Sequence, residues 1–361
     1  MGIFSLKPDP IMGIDISSTA VKLLELSRTG KGAASYRVES YAMEPLPEKV
    51  VEDKNITEEG VEVVGDAIQR AVRRAKPHAQ FAAVAVAGPA VMTKTISMPG
   101  GLTDDEMLAA IQVDAEQHIP YPLDEVNLDF EVLGPNEKEP DRVDVLLAAC
   151  RQENVDSRIA ALEIAGLKAK VVDIERYALE NALQLVVEND PEIGPEETVA
   201  LIEIGATSST MNVLGGGKIV FTREEMFGGH RLTEEIHHRY GLSHEEANLA
   251  KRNGGLPDDY ETELLEPFKM EMAQQIARMI QVYYSTSTYG KLSHILVAGG
   301  CASIPGIIEH INSRVGGHIN IANPFAAMSV ASRVSKKALM TDAPALMIAC
   351  GLALRTFDAR R

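Results

Sequence analysis

The sequence predicts an α/β protein built twice, with two lobes of related design facing each other across a cleft and a smaller α+β unit inserted into the first. Two observations carry that reading. GIDISSTAVKLLEL (13–26) and LIEIGATSSTMNVL (201–214) share one plan: an apolar strand, one acid near its end (Asp15, Glu203), a turn of Gly, Ser and Thr, and a second strand. Segment 93–170 has its own strand–helix–strand–strand–helix order, and Pro- and acid-rich ENDPEIGPEE (188–197) reads as a hinge before the second half.

Size and composition agree. A chain of 361 residues, 45% hydrophobic and 24% charged, is long enough for two cores. A net charge of −17 opposes binding to a phosphate backbone, and aromatics at 5% with no Trp give no stacking platform, so nucleic acid is not expected as a partner. Cys150, Cys301 and Cys350 sit in apolar or glycine-rich surroundings and read as reduced thiols of a cytosolic protein. The best uncharged run, AQFAAVAVAGPAVMT (79–93), is too short to span a bilayer. MGIFSLK (1–7) lacks a signal peptide's basic region, and Leu6 breaks the myristoylation pattern. It reads as a frayed terminus, so the protein is expected in the cytoplasm, meeting the membrane only through partners.

Along the first half, 11–16 and 20–27 read as strands, 35–42 as a third after the TGKG turn, and EPLPEK as loop. Residues 58–75 predict a helix with Val61, Val64, Ile68 and Val72 on one face. Arg70, Arg73, Arg74 and Lys76 lie mostly opposite, a solvated face first and a partner surface second. FAAVAVAG (81–88) is a buried strand. In the inserted unit KTISMP is a strand, and Thr103 with Glu106 makes a capping box for a helix carrying Leu108, Ile111, Ala115 and Ile119, stopped by Pro120 and Pro122. NLDFEVL alternates with Leu128, Phe130 and Val132 inward, RVDVLLAAC is the next strand, and 152–165 is a helix.

The second half repeats the hairpin, turns at Gly215 to Gly217, and returns through KIVFTREE. Helices dominate 229–289, with a capping box at Ser243 and Glu246 and a long helix over 264–285. HILVAGG (294–300) is a buried strand running into glycines, IPGIIEHINSRV a helix, and APALMIACGLAL (343–354) a final buried helix.

The chemistry follows from the two turns. Successive backbone N–H groups in a tight turn make a concave anion site, small residues let phosphate come close, and hydroxyls add donors. Two such turns face to face clamp a polyphosphate. Asp15 and Glu203 would hold Mg²⁺ through water, and Lys22 would face the phosphates. In AGGCASIPG (298–306), Gly299 and Gly300 admit a flat ring, and the helix that follows aims its positive end at the site. Taken singly, Asp15 would equally satisfy turn amides and Lys22 would guard a hairpin edge. No Walker A loop, G-x-G-x-x-G or G-x-S-x-G occurs, and adjacent His237 and His238 fall on different helix faces, so no histidine metal site is expected.

This order of hairpin, hairpin and strand–Gly-Gly–helix resembles the actin-like (ribonuclease H-like) ATPase superfamily, and the inserted unit resembles that of the division protein FtsA. GIDISSTAVKLLELS, EQHIPYPLDEV, DRVDVLLAACRQENV and AKVVDIERYAL look like signatures of the PilM family of the type IV pilus machine, and the likeness covers nearly the whole chain. The resemblance implies a first lobe of 1–92 and 171–196, an inserted subdomain at 93–170, a second lobe of 197–227 and 291–342 with a helical subdomain at 228–290, and a C-terminal helix at 343–361.

The resemblance further implies a cleft for ATP and Mg²⁺ lined by Asp15, Ser17, Ser18, Thr19 and Lys22, and by Glu203, Gly205, Ala206, Thr207 and Ser208. Gly228, Gly229, Gly299 and Gly300 would lie along the nucleotide, Lys251 would flank the adenine, and Glu175 would orient water; Asn248 stands where relatives often carry Glu. The implied partner is the N-terminal cytoplasmic peptide of PilN, seated between the first lobe and the inserted unit. PilO and PilP would join indirectly, and the motor ATPases and platform protein would be contacts, in pilus biogenesis and twitching motility. Ser17 replaces the usual glycine and Glu203 the usual Asp, so tight binding with very slow or absent turnover is expected. Two alternatives share the fold. One is an active ATPase or small-molecule kinase, for which no substrate-side base stands out. The other is an FtsA-like filament protein, for which LALRTFDARR offers no amphipathic membrane helix.

Overall fold

The computed structural model describes residues 9–28, 30, 35–114, 119 and 121–358. The expectations placed on the N-terminal heptapeptide, most of the TGKG turn, Ala115, Pro120 and the last three residues lie outside these.

The first lobe opens with the meander β1 (Ile11–Ile16), β2 (Ala20–Arg28) and β3 (Tyr36–Pro45). A small hairpin follows, β4 (Val51–Glu52) and β5 (Asn55–Ile56), then α1 (Gly60–Ala75) and β6 (Phe81–Val86). Next come β7 (Val91–Pro99), α2 (Asp104–Asp114), β8 (Val126–Pro135), β9 (Arg142–Arg151), α3 (Gln152–Ile164), β10 (Lys168–Ile174) and α4 (Glu175–Asn189). The second half runs β11 (Val199–Ile204), β12 (Ser209–Gly215), β13 (Lys218–Glu225), α5 (His230–Tyr240), α6 (His244–Asn253), α7 (Glu266–Thr286) and β14 (His294–Ala298). It ends with α8 (Ile307–Val315), β15 (His318–Ile321), β16 (Ser329–Val330), α9 (Lys336–Asp342) and α10 (Met347–Leu354).

The internal echo is a real duplication. The first sheet runs β10-β6-β1-β2-β3-β16 and the second β13-β12-β11-β14-β15. In each, an antiparallel three-strand meander is extended from its first strand by parallel strands. One hydrophobic core joins the two sheets through α4 and α10, with Leu24, Ala182, Leu201, Leu296 and Leu346 all in it. Helix α10 fits because glycine faces it on one side and interrupts it on the other. A Cβ at Gly13 would stand 2.2 Å from Ala349 O, and one at Gly351 would stand 1.7 Å from Ala178 O. Arg355 donates to buried Asp173 at 2.7 Å, and Thr356 bonds both polar groups of the Ile11 backbone.

Several elements depart from the sequence reading. The hairpin β4–β5 was not expected. Helix α1 buries Val64 and Ile68, but Gly65, Ala67 and Ala71 complete its inner face while Val61 and Val72 are only half-buried, since small residues let α3 pack closely. Helix α3 shares that first-lobe core rather than the core of the inserted unit, and β10 joins the first sheet from Lys168, so the inserted sheet is the three strands β7-β9-β8 under α2. In edge strand β8 the register shifts between Val132 and Gly134, which leaves Val132 42% exposed while Leu128 and Phe130 are half-buried. Strand β16 crosses back to pair with β3 of the first sheet. A π turn over Glu261–Leu265 precedes α7, and a 3-10 turn over Ala343–Leu346 precedes α10.

The helical run Lys336–Phe357 is long and apolar enough to cross a membrane, yet its most apolar window is 72% buried. That apolarity is used between the two sheets. The basic face of α1 is partly neutralised by Glu44 of β3, which lies 3.1 Å from Arg74 and 3.8 Å from Arg70.

Candidate functional site at the two facing hairpins

Asp15 and Glu203 are each the penultimate residue of the first strand of their hairpin. The β1–β2 register sets Asp15 opposite Lys22, and the β11–β12 register sets Glu203 opposite Thr210. Asp15 is buried and accepts from Lys22 Nζ at 2.8 Å. Burial opposes the charge on Lys22, but Asp15, then Glu203 and Glu175, outweigh it and raise the amine's pKa. Burial is also the main force on Glu203 and raises its pKa, with Asp15 adding to the rise and Lys22 opposing it. The two acids therefore share one field across the lobes, with Lys22 bonded to Asp15 and its charge felt by Glu203.

In the first turn the Ser17 N–H and Oγ both donate to Ala20 O, at 3.0 and 2.9 Å, and Thr19 O accepts from the Leu46 N–H at 2.9 Å; Ser18 lies between. Ser17 is not among the described residues with positive φ, so the backbone penalty expected from replacing glycine there is absent. The second turn closes from the Gly205 N–H to Ser208 O at 3.0 Å. Gly205 O and Ala206 O accept from the backbone of Gly229 and His230 at 2.9 and 2.7 Å, and Thr207 is exposed at the tip.

The glycines close the second-lobe side. A Cβ at Gly228 would stand 2.4 Å from Ala206 O. Gly299 has φ +86°, and a Cβ there would stand 2.3 Å from Ile204 O. Gly300 would meet nothing within 4 Å, which leaves open space above it. Lys251 turns into this corner, donating to Gly229 O at 3.0 Å and to Thr233 Oγ1 at 2.6 Å, and its burial lowers its pKa. A 3-10 turn over Gly300–Ser303 separates the strand from α8, which begins at Ile307, three residues inside the expected IPGIIEHINSRV.

Glu175 opens α4. Burial pushes its carboxyl up to about 7; Lys54 pulls it down, while Asp15 and Glu203 push it further up. Lys54 itself escaped the sequence reading, as did Glu224 and Arg158. Lys54 Nζ lies 3.0 Å from Glu224 of the second lobe and 3.9 Å from Glu175. It sits at the tip of β4–β5 beside Asp53, with φ +63° and +47°, a conformation uncommon for residues other than glycine. Buried Arg158 holds that turn, donating to the carbonyls of Lys54, Ala85 and Asn154 at 2.8, 2.6 and 2.7 Å. A signal existed: VEDKNI is a two-residue turn between short paired ends.

Chemically, the cleft offers two amide-lined turns, a fixed lysine, carboxylate oxygens suited to a hard cation, and glycine-walled space beside them. Beside it, Glu48, His230 and His244 gather with one ligand atom from each within 4.8 Å of the others, a group that the sequence reading around His237 and His238 did not find.

A sequence model of the family described as "Type IV pilus assembly protein PilM" matches residues 13–357. The chain belongs to this family. A solved PilM–PilN type IV pilus biogenesis complex is similar at TM-score 0.75 and 26% identity, covering 97% of this chain and 99% of that one. The fold of this family member is thus actin-like, mixed α/β with several sheets. An ethanolamine utilization protein, EutJ of Carboxydothermus hydrogenoformans, shares the fold at TM-score 0.53 and 18% identity, covering 97% of this chain and 91% of that one. EutJ of Escherichia coli K12 is 27% identical over 156 residues, 43% of this chain and 49% of that protein, so the match spans about half the length of that curated relative.

Proposed function

We propose that this chain is a nucleotide-binding scaffold of type IV pilus assembly. It binds ATP between the two hairpins and the N-terminal cytoplasmic peptide of PilN in a groove between the first lobe and the inserted sheet. Through PilN it is peripheral to the inner membrane, is linked indirectly to PilO and PilP, and couples that assembly to the motor ATPases and platform protein. The observation that carries the nucleotide reading is the matched placement of Asp15 and Glu203 near the ends of the first strands of duplicated hairpins, with Lys22 paired to Asp15, in a chain of this family. The PilN reading rests on likeness to the PilM–PilN complex.

The backbone amides of Ser18 and Thr19 and of Ala206 to Ser208 would take the phosphates, with Lys22 as a point charge. Asp15 and Glu203 would hold Mg²⁺ through water, and the ion when bound would neutralise phosphate charge. Gly228, Gly229, Gly299 and Gly300 would leave room for the nucleoside, and Lys251 braces that wall. Slow turnover is favoured by Glu203, one methylene longer than Asp. With little turnover, nucleotide acts as a ligand that stabilises one arrangement of the lobes.

The test is bound nucleotide on the purified chain and phosphate release with and without a PilN N-terminal peptide. ATP should be retained and released phosphate should accumulate far below about one per second, the lower range of phosphoryl-transfer enzymes. Asp15→Ala should lose ATP and weaken peptide binding. Turnover near that rate would overturn the scaffold reading, and full ATP affinity in Asp15→Ala would overturn the site.

A further inference from the structure

A second cluster joins the lobes beside the two hairpin turns: the His230 N–H bonds Ala206 O at 2.7 Å, and Glu48 follows Leu46, whose N–H bonds Thr19 O at 2.9 Å. Glu48 lies in the loop between β3 and β4, while His230 and His244 are the first residues of α5 and α6. One ligand atom from each of the three lies within 4.8 Å of the others. Glu48 Oε1 is 3.9 Å from His230 Nδ1 and 3.9 Å from His244 Nδ1. Ligands around a tetrahedral zinc-class ion stand about 3.3–3.6 Å apart, so small rotations of half-exposed side chains close the gap. Among the described residues, His244 Nδ1 is a buried atom with no hydrogen-bond partner; Glu234 Oε1 is 3.3 Å away but not in bonding geometry.

The surroundings hold the rings in place. The Ser243–Glu246 capping box fixes the start of α6, and the His237 ring stacks on His244 with centroids 4.2 Å apart. Glu234 Oε1 is 2.9 Å from His230 Nε2, the nitrogen facing away from Glu48. A carboxylate on the far nitrogen fixes a ligand histidine's tautomer and strengthens it as a donor. An N₂O set with an open fourth position suits zinc and its neighbours rather than magnesium or calcium.

We propose that Glu48, His230 and His244 form a transition-metal site of the zinc class that pins the first lobe's loop to the helical subdomain of the second. Because its ligands come from both lobes, the ion fastens the mouth of the cleft. The site does not depend on the nucleotide reading, and its test uses no nucleotide.

Purified full-length chain, stripped with chelator, is titrated with Zn²⁺ and separately with Co²⁺, whose visible absorption reports tetrahedral coordination. One ion should bind per chain. The double variant His230→Ala/His244→Ala should lose it, Glu48→Gln should weaken it about 10–100-fold, and His238→Ala, next to the cluster but outside it, should bind normally. Hydrogen exchange should show Zn²⁺ protecting residues 46–56 in the natural chain and not in Glu48→Gln. If the double variant fails to fold, Glu48→Gln still decides. Unchanged affinity and protection in Glu48→Gln overturns the fastening between lobes, and one-to-one binding that survives in the double variant, or absence of binding in the natural chain, overturns the site.

Discussion

Asp15 and Lys22 form a buried pair whose partners depend on each other. Lys22→Met would leave Asp15 buried beside Glu203 with its cation gone, and breaking a buried pair from one side costs about 3–5 kcal/mol. The denaturant midpoint should fall accordingly, and Asp15→Asn/Lys22→Met should recover most of the loss. Glu175 gives a pH signature. Its folded pKa of about 7 lies above the ordinary 4.5, so the folded state holds the proton more tightly. The stability it contributes is full below about pH 4.5 and is lost as pH rises through about 7. The melting temperature of the natural chain should drop more steeply over that window than that of Glu175→Gln; identical slopes would contradict the shift. Asp15, Lys22 and Glu203 were legible in the sequence because a lone charge at the end of an apolar run stands out. Lys54, Glu224 and Arg158 were not, because each looks like ordinary surface charge until three separate segments converge. Ser17 was read with too much weight, since its hydroxyl closes the turn without a left-handed backbone.

At the scale of elements, periodicity and caps located most of the helices and strands, but not β4, β5, β10, α4, β15, β16 or α9. Ser243 with Glu246 marks the start of α6, and Thr103 with Glu106 that of α2. Which helix packs on which sheet was less visible. Helix α3 follows the inserted sheet in sequence yet packs on α1, where Gly65 leaves room for Ile164. Helix α10 is the sharpest case, since its backbone touches α4 at Gly351. Gly351→Ala should cost about 1–3 kcal/mol through overpacking despite alanine's better helix propensity. Thermal melting checks this, and a neutral or stabilising effect would mean the two helices separate easily.

Across the whole molecule, the duplication was readable because the same hairpin recurs with its acid in the same place. The contacts that set one half against the other were not, because they pair residues far apart in sequence. Lys54 is the clearest. Its ion pair with Glu224 is about one-third exposed and worth at most about 1 kcal/mol, but its charge also holds the Glu175 carboxyl down. Lys54→Ala should therefore leave melting nearly unchanged while moving the Glu175 titration above about 7, measured by carboxyl NMR; an unmoved titration would show that the hairpin tip does not reach the cleft. The course of α10 carries a different consequence, for synthesis. Ile11 and Gly13 of β1, among the first described residues made, are covered by Thr356 and Ala349, among the last. A chain emerging from the ribosome holds its first sheet uncovered on this side until residues 347–357 have emerged. Nascent chains arrested before Met347 should be cut within 11–45 by a protease that spares the finished protein.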